Sequence, residues 1–123
     1  MTDTSVTPTP DSGSDPVHDF IAGAVKDHDV VLFMKGTPDA PRCGFSSLAV
    51  QILDQVGASF VGVDVLQSDA LRDGIKTFTD WPTVPQLYVK GEFVGGSDIV
   101  REMFQAGELH ALMAEKGVPL GEA

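Results

Sequence analysis

Cys43 is the only cysteine in the 123-residue chain. It lies in the stretch PRCGFSS, residues 41–47, between a proline-rich segment and an apolar run with helical spacing. A single thiol cannot close an internal disulfide, and it cannot by itself hold a metal cluster that requires four sulfur ligands. Cys43 is therefore either an inert packing residue or a reactive thiol whose partners come from other molecules.

The surroundings of Cys43 favour the reactive alternative. A buried strand is predicted to end next to Lys35, and the prolines of residues 37–41 predict a loop that leads into a helix. The unpaired N–H groups and the positive end of a helix dipole stabilise an anion at that position, which lowers the pKa of a thiol. Arg42 is adjacent in sequence, and Lys35 is expected on the same rim.

Two further segments could bind a ligand. In WPTVP, residues 81–85, a cis proline just before a strand would turn the backbone of Val84 outward to pair with an extended peptide. A trans-proline loop is the alternative, and the sequence does not decide between them. In GGSD, residues 95–98, a helix entrance could take a carboxylate and Asp98 an ammonium group. An ordinary helix cap is the alternative there.

The elements that would position these residues follow from apolar spacing. Helices are predicted over residues 16–28, from Cys43 to a cap at Gly57, over 69–78, from a cap at Ser97 or Asp98, and over 108–115. Phe45 either starts the apolar face of the second helix or covers the thiol. Strands are predicted over residues 30–34, 60–65, 86–89 and 92–94. Two strands joined through a helix should be parallel, and the closing hairpin should be antiparallel. The prediction is an α/β fold with a four-stranded mixed sheet and helices on both of its faces.

Composition narrows the class of protein. The formal net charge of −10 disfavours nucleic acid and anionic membranes as partners. No apolar run approaches the length of a membrane span. Residues 1–16 are predicted to be a disordered acidic tail and residues 119–123 a short C-terminal tail. The N-terminus shows no secretory or mitochondrial targeting pattern, and one cysteine fits a reducing compartment, so a cytoplasmic location is expected.

Taken together, these motifs resemble the monothiol glutaredoxins of the CGFS type, in the thioredoxin-like superfamily. The resemblance covers residues 17–118 and rests on FMKGTPDAPRCGFS, WPTVPQLYVKGEFVGG and SDIV. It implies a thioredoxin-like fold with Pro85 as the family's cis-proline, and a glutathione site. The residues it implies for glutathione are Lys35, Arg72 and Lys76 at the glycine carboxylate, Val84 at the cysteinyl backbone, Ser97 and Asp98 at the γ-glutamyl end, and Trp81, Pro82 and Thr83 as the wall.

The resemblance also implies a function. Two protomers, each supplying Cys43 and one glutathione, would provide four thiolates for a bridged 2Fe–2S cluster, which a carrier would deliver to apo iron–sulfur proteins. A BolA-like protein is a further implied partner. The rival hypothesis is a glutathione-dependent thiol–disulfide oxidoreductase that removes glutathione from protein mixed disulfides, and only weak turnover of that kind is expected. One departure is GGSD, where many members of the family have GGCD, so a disulfide to a second cysteine is not available.

Overall fold

The structure is a computed structural model, and it describes residues 15–120. The predicted acidic tail therefore falls outside the described residues except for Asp15 and Pro16. Asp15 is the N-cap of the first helix, and Pro16 is its first residue. Of the predicted C-terminal tail, residues 119 and 120 are described, and Leu120 forms an isolated β-bridge with Ala58.

A four-stranded mixed sheet forms the centre of the fold, as predicted. The elements in chain order are α1 (Pro16–Asp27), β1 (Val30–Met34), β2 (Gly36–Thr37), β3 (Ala40–Pro41), α2 (Gly44–Val56), β4 (Val61–Asp64), a 3₁₀ turn (Val65–Gln67), α3 (Asp69–Thr79), β5 (Gln86–Val89), β6 (Glu92–Gly95), α4 (Ser97–Gln105) and α5 (Glu108–Glu115). The sheet order is β4-β1-β5-β6. β1 pairs with β4 in parallel and with β5 antiparallel, and β5 pairs with β6 antiparallel.

Helices cover both faces of this sheet because β1 is apolar on both sides. Val30, Leu32 and Met34 point into one core, which α2, α4 and α5 complete with residues such as Leu53 and Leu109. Val31 and Phe33 point into the other core, which α1 and α3 complete through Ile21, Val25 and Ile75. This alternation follows from the two-residue period of a strand. The chain leaves the C-terminal end of β1, forms the β2–β3 ribbon and then enters α2.

Three predicted details differ from the structure. The strand predicted over residues 60–65 is shorter, because Val65 belongs to the 3₁₀ turn that Asp64 caps. The loop predicted over residues 37–41 contains the two-stranded β2–β3 ribbon. Helix α4 is capped by Gly96, whose carbonyl accepts the N–H of Val100 at 3.0 Å, and not by Ser97 or Asp98. Among residues 15–120, no helix is both long enough and apolar enough to cross a membrane.

Candidate functional site

Cys43 occupies the N-cap position of α2, with extended backbone (φ −150°, ψ 139°). The residue is half-buried, so the thiol is neither sealed in the core nor fully exposed. Of the two roles left open for Phe45, a place on the buried apolar face of α2 is wrong, because its side chain is 61% exposed. It lies in the first turn of the helix. Phe45 instead lines the same groove as Cys43.

The helix N-terminus lowers the pKa of the Cys43 thiol. The largest contribution comes from the backbone N–H of Ser46, and the N–H of Phe45 and the charge of Lys35 add to it. Partial burial opposes the shift but does not cancel it. The Cys43 side chain does not accept a capping hydrogen bond from the helix, so these N–H groups remain available to a thiolate. The predicted reactive cysteine therefore has the electrostatic environment that favours its ionised form.

Ser46 connects this helix end to the strand before it. Its side chain is completely buried, and its Oγ accepts the backbone N–H of Lys35 at 3.0 Å. The carbonyl of Lys35 in turn accepts the N–H of Arg42 at 2.8 Å. Ser46 thus fixes the first turn of α2 against the end of β1, which holds the thiol next to Lys35.

The β2–β3 ribbon is anchored to β4 on its other side. Gly36 donates its N–H to Asp64 Oδ1 at 2.9 Å, and its φ of +92° together with the nearby Ala40 carbonyl leaves no room for a side chain. At Gly62, an added Cβ would lie 2.5 Å from the ring of Pro38. Both glycines are therefore required by close approach of the ribbon. The ribbon sets the direction from which the chain enters Cys43.

A groove of about 530 Å³ opens beside the thiol, and we call it the thiol groove. Its lining residues are Lys35, Cys43, Phe45, Arg72, Asp73, Lys76, Pro82, Thr83 and Val84. The groove brings together six of the residues predicted from the sequence for the ligand site, Pro82 included. Three of them are basic, in a chain whose net charge is −10.

The sequence did not point to Asp73, the one acidic residue in the thiol groove. It follows Arg72 on α3 and precedes Lys76 by three residues, which places Asp73 and Lys76 next to each other on the helix surface. Arg72 also has an acidic neighbour, since its Nη2 lies 3.4 Å from Asp69 Oδ1. The signal that could have identified Asp73 is this helical spacing.

The wall opposite the basic residues is the loop before β5. The peptide bond between Val84 and Pro85 is cis, as the resemblance implied. Within the described residues, the backbone of Val84 makes no main-chain hydrogen bond, so its N–H and C=O are available to an extended ligand. Pro85 is buried behind Val84 and does not line the groove.

Gln86 holds this loop in place, and sequence reasoning missed it. The side chain is completely buried, and its Nε2 donates to the carbonyls of Thr83 at 3.0 Å and Trp81 at 3.3 Å. Its Oε1 accepts the hydroxyls of Thr79 at 3.0 Å and Tyr88 at 3.3 Å. A buried polar residue in an apolar strand was the available signal, because such a side chain must find partners.

The second predicted helix entrance does not line the thiol groove itself. Ser97 is the first residue of α4, and Asp98 is exposed, 3.9 Å from Arg101 across their side chains. An added Cβ on Gly96 would lie 3.4 Å from Trp81 Nε1 and 3.9 Å from Thr83 Oγ1. Trp81 also packs on Phe93, with ring centroids 5.5 Å apart. The entrance of α4 therefore adjoins the wall of the groove through Trp81 and Thr83.

This fold and site define a class: a thioredoxin-like α/β domain with one thiol at a helix N-terminus, beside a cis-proline loop. Comparisons with known proteins give the family. A glutaredoxin family model matches residues 30–94. The mitochondrial monothiol glutaredoxin-5 of Schizosaccharomyces pombe is 56% identical over 95 residues, which are 75% of this chain and 65% of that relative. The probable monothiol glutaredoxin 2 of Rickettsia typhi is 50% identical over 97 residues, 79% of this chain and 87% of that relative.

Solved structures agree with these relatives. The solution structure of reduced poplar apo GrxS14 matches with a TM-score of 0.72 and 46% identity, over 80% of this chain and 91% of that one. A buckwheat glutaredoxin–glutathione complex matches with a TM-score of 0.74 and 26% identity, over 84% of this chain and 92% of that one. The chain belongs to the glutaredoxin family, and it resembles the monothiol members. The predicted family and fold are confirmed.

Proposed function

We propose that this protein is a glutathione-dependent monothiol glutaredoxin that binds and transfers a 2Fe–2S cluster, held between two protomers by Cys43 and glutathione. The observation that carries the proposal is the half-buried Cys43, whose pKa is lowered and which opens onto a groove with three basic side chains. A thiolate ligand and a pocket for a second, thiol-bearing anion are thereby adjacent.

Glutathione has the chemistry that this groove would recognise. It is an extended tripeptide with a central thiol, a carboxylate at each end and an ammonium group at the γ-glutamyl end. Lys35, Arg72 and Lys76 would receive the glycine carboxylate, and the unpaired backbone of Val84 would pair with the cysteinyl residue. The N–H groups at the start of α4 and the carboxylate of Asp98 would receive the γ-glutamyl end. The structure of a buckwheat glutaredoxin with glutathione supports the choice of ligand.

The cluster is cargo in this proposal, and the ligand count gives the assembly. One chain supplies one cysteine thiolate, and a 2Fe–2S cluster normally takes four. Two copies of Cys43 and two glutathione thiols complete the set, so the loaded form is a homodimer. The exposed Phe45 beside the thiol offers apolar surface that a second copy could cover. Apo iron–sulfur proteins as recipients, and a BolA-like protein as an alternative partner, belong to the same proposal.

An oxidoreductase is the second candidate, and the lowered pKa of Cys43 favours it equally. The Cys43 thiolate would attack the glutathione sulfur of a mixed disulfide, form a disulfide with glutathione and release the protein thiolate. A second glutathione thiolate would then attack that disulfide, restore the Cys43 thiolate and leave as glutathione disulfide. The same groove would serve both activities.

Anaerobic reconstitution with iron, sulfide and glutathione distinguishes the candidates. We expect a coloured dimer by absorbance and size-exclusion chromatography, and its loss in Cys43→Ser because one of the four thiolates is then missing. Ser47→Ala, in the same helix turn but with its Oγ bonded to Gln51, is the matched control and should form the coloured dimer. A colourless monomer that rapidly removes glutathione from a mixed disulfide would favour the oxidoreductase and overturn the carrier.

Glutathione binding itself is tested by calorimetry with Lys35→Met. Removal of one groove cation should weaken binding about tenfold, the typical value of a lost charge-assisted hydrogen bond. Lys26→Met, which makes the same change on the exposed side of α1, should have no effect.

The proposal further includes a cytoplasmic location, which fractionation of cells that express the full chain would test.

A further inference from the structure

We propose that Asp73 sets the charge preference of the thiol groove. With Asp73 present, the groove binds glutathione whose glycine carboxylate is converted to an amide better than the three basic residues alone would. The effect is largest for an amide that carries a positive charge. The inference rests on the proposed glutathione site. It concerns which tripeptide thiols the protein selects, a property that the family and the fold leave open.

The first argument is the charge of the groove. Lys35, Arg72 and Lys76 contribute three positive charges to its lining, and Asp73 is the only acidic residue among the lining side chains. Asp73 is an exposed residue of α3 that lines the groove. It lowers the positive potential at the end of the groove that would hold the glycine carboxylate.

The second argument is the arrangement of acids along α3. Asp69 lies 3.4 Å from Arg72, and Asp73 precedes Lys76 by three residues, a spacing that brings side chains together on a helix. Each basic residue of α3 that faces the groove therefore has an acidic neighbour. Within the described residues neither Lys35 nor Lys76 forms an ion pair, so Asp73 acts on the groove through its charge and its helical spacing from Lys76, and not through a direct salt bridge.

The consequence for specificity follows from the sign of the charges. A free glycine carboxylate is attracted by Lys76 and repelled by Asp73, and the two effects partly cancel. A neutral amide at that end avoids the repulsion, and an amide that carries an ammonium group gains attraction from Asp73. Removal of the Asp73 charge should thus change affinity in opposite directions for the two kinds of ligand.

Calorimetric titration with redox-inert ligands tests this inference. The probes are S-methylglutathione, its glycine amide, and the amide that it forms with one nitrogen of a diamine. For Asp73→Asn we expect about two- to fourfold tighter binding of S-methylglutathione, little change for the neutral amide, and about two- to fourfold weaker binding of the cationic amide. These differences should shrink at high salt, because screening weakens exposed charges.

Asp54→Asn is the matched control, since it makes the same charge change on the exposed end of α2, away from the thiol groove. It should leave all three affinities unchanged. An unchanged ratio of the three affinities in Asp73→Asn would overturn the role of Asp73 while leaving the glutathione site in place. If S-methylglutathione does not bind to the unmodified protein at all, both the glutathione site and this inference are wrong.

Discussion

Ser46→Ala separates two roles that the structure gives to one buried side chain. The Oγ of Ser46 accepts the N–H of Lys35 at 3.0 Å, while the backbone N–H of Ser46 is the main group that lowers the pKa of Cys43. Alanine removes the hydroxyl and keeps the backbone N–H. The variant should therefore lose stability and should retain part of the pKa shift.

The stability loss follows from the hydrogen bond. The N–H of Lys35 would lose its partner next to a completely buried side chain, which costs about 1–3 kcal/mol. For a domain of this size, each kcal/mol lowers Tm by about 4 °C. We expect Tm to fall by about 4–12 °C. Because the Ser46 hydroxyl also contributes to the lowered pKa of Cys43, that pKa should rise toward the ordinary value of a thiol.

The sign of the pH dependence gives a second readout. The folded-state pKa of Cys43 is depressed, so its thiolate stabilises the fold fully above the unfolded pKa of about 8.5 and loses that effect as pH falls through the folded pKa. The free energy of unfolding of the unmodified protein should thus rise with pH across this window, relative to Cys43→Ser. Ser46→Ala should show a smaller rise.

Ultraviolet titration of the thiolate measures the pKa directly, because Cys43 is the only cysteine. Burial raises the pKa of Tyr88, the only tyrosine, to about 12, so its ionisation does not overlap. Ser47→Ala is the control, since Ser47 Oγ accepts only an exposed hydrogen bond from Gln51 at 3.1 Å. A Cys43 pKa at the ordinary thiol value in the unmodified protein, or equal Tm values for the two serine variants, would refute the reasoning.

Three further predictions concern the ribbon and the second helix entrance. Asp64→Asn should lower stability by about 1–2 kcal/mol near neutral pH, because the hydrogen bonds from Gln67, Leu66 and Gly36 lower the pKa of the Asp64 carboxyl. The difference in unfolding free energy from the unmodified protein should vanish as pH falls through that pKa. A difference that stays constant with pH in chemical denaturation would contradict this prediction. Ser97→Pro should weaken glutathione binding about tenfold in calorimetry, because it removes one N–H at a position where proline is compatible with a helix. Ser97→Ala should change the affinity less than about twofold. Equal effects of the two substitutions would show that the hydroxyl binds. Gly62→Ala should lower stability by about 1–3 kcal/mol, because the added methyl meets the Pro38 ring; an unchanged Tm would show that the ribbon does not pack there.

Local sequence patterns predicted the parts of the fold that depend on local chemistry. The last helix was predicted over residues 108–115, as observed, because its apolar spacing is regular. Gly57 was predicted as a helix cap, and it adopts the left-handed conformation that favours glycine. Strand β1 was recognised as central because it is apolar on both faces.

The sequence was less informative where position depends on contacts between distant segments. Phe45 has the spacing of a core residue but lies in the first turn of α2 with its side chain exposed. The caps expected at Ser97 or Asp98 followed side-chain preference, whereas the backbone already accepts a helical hydrogen bond at Gly96. Local patterns could have drawn attention to Asp73 and Gln86, but their roles depend on which loops meet α3 and β5, and that is decided by contacts between distant segments.

The most direct test of the central claim is native mass spectrometry of the protein after anaerobic reconstitution with iron, sulfide and glutathione. The account predicts an assembly of two chains, two glutathione molecules and one 2Fe–2S cluster, which Cys43→Ser cannot form. A cluster bound without glutathione, or glutathione bound only to a monomer that holds no iron, would contradict it.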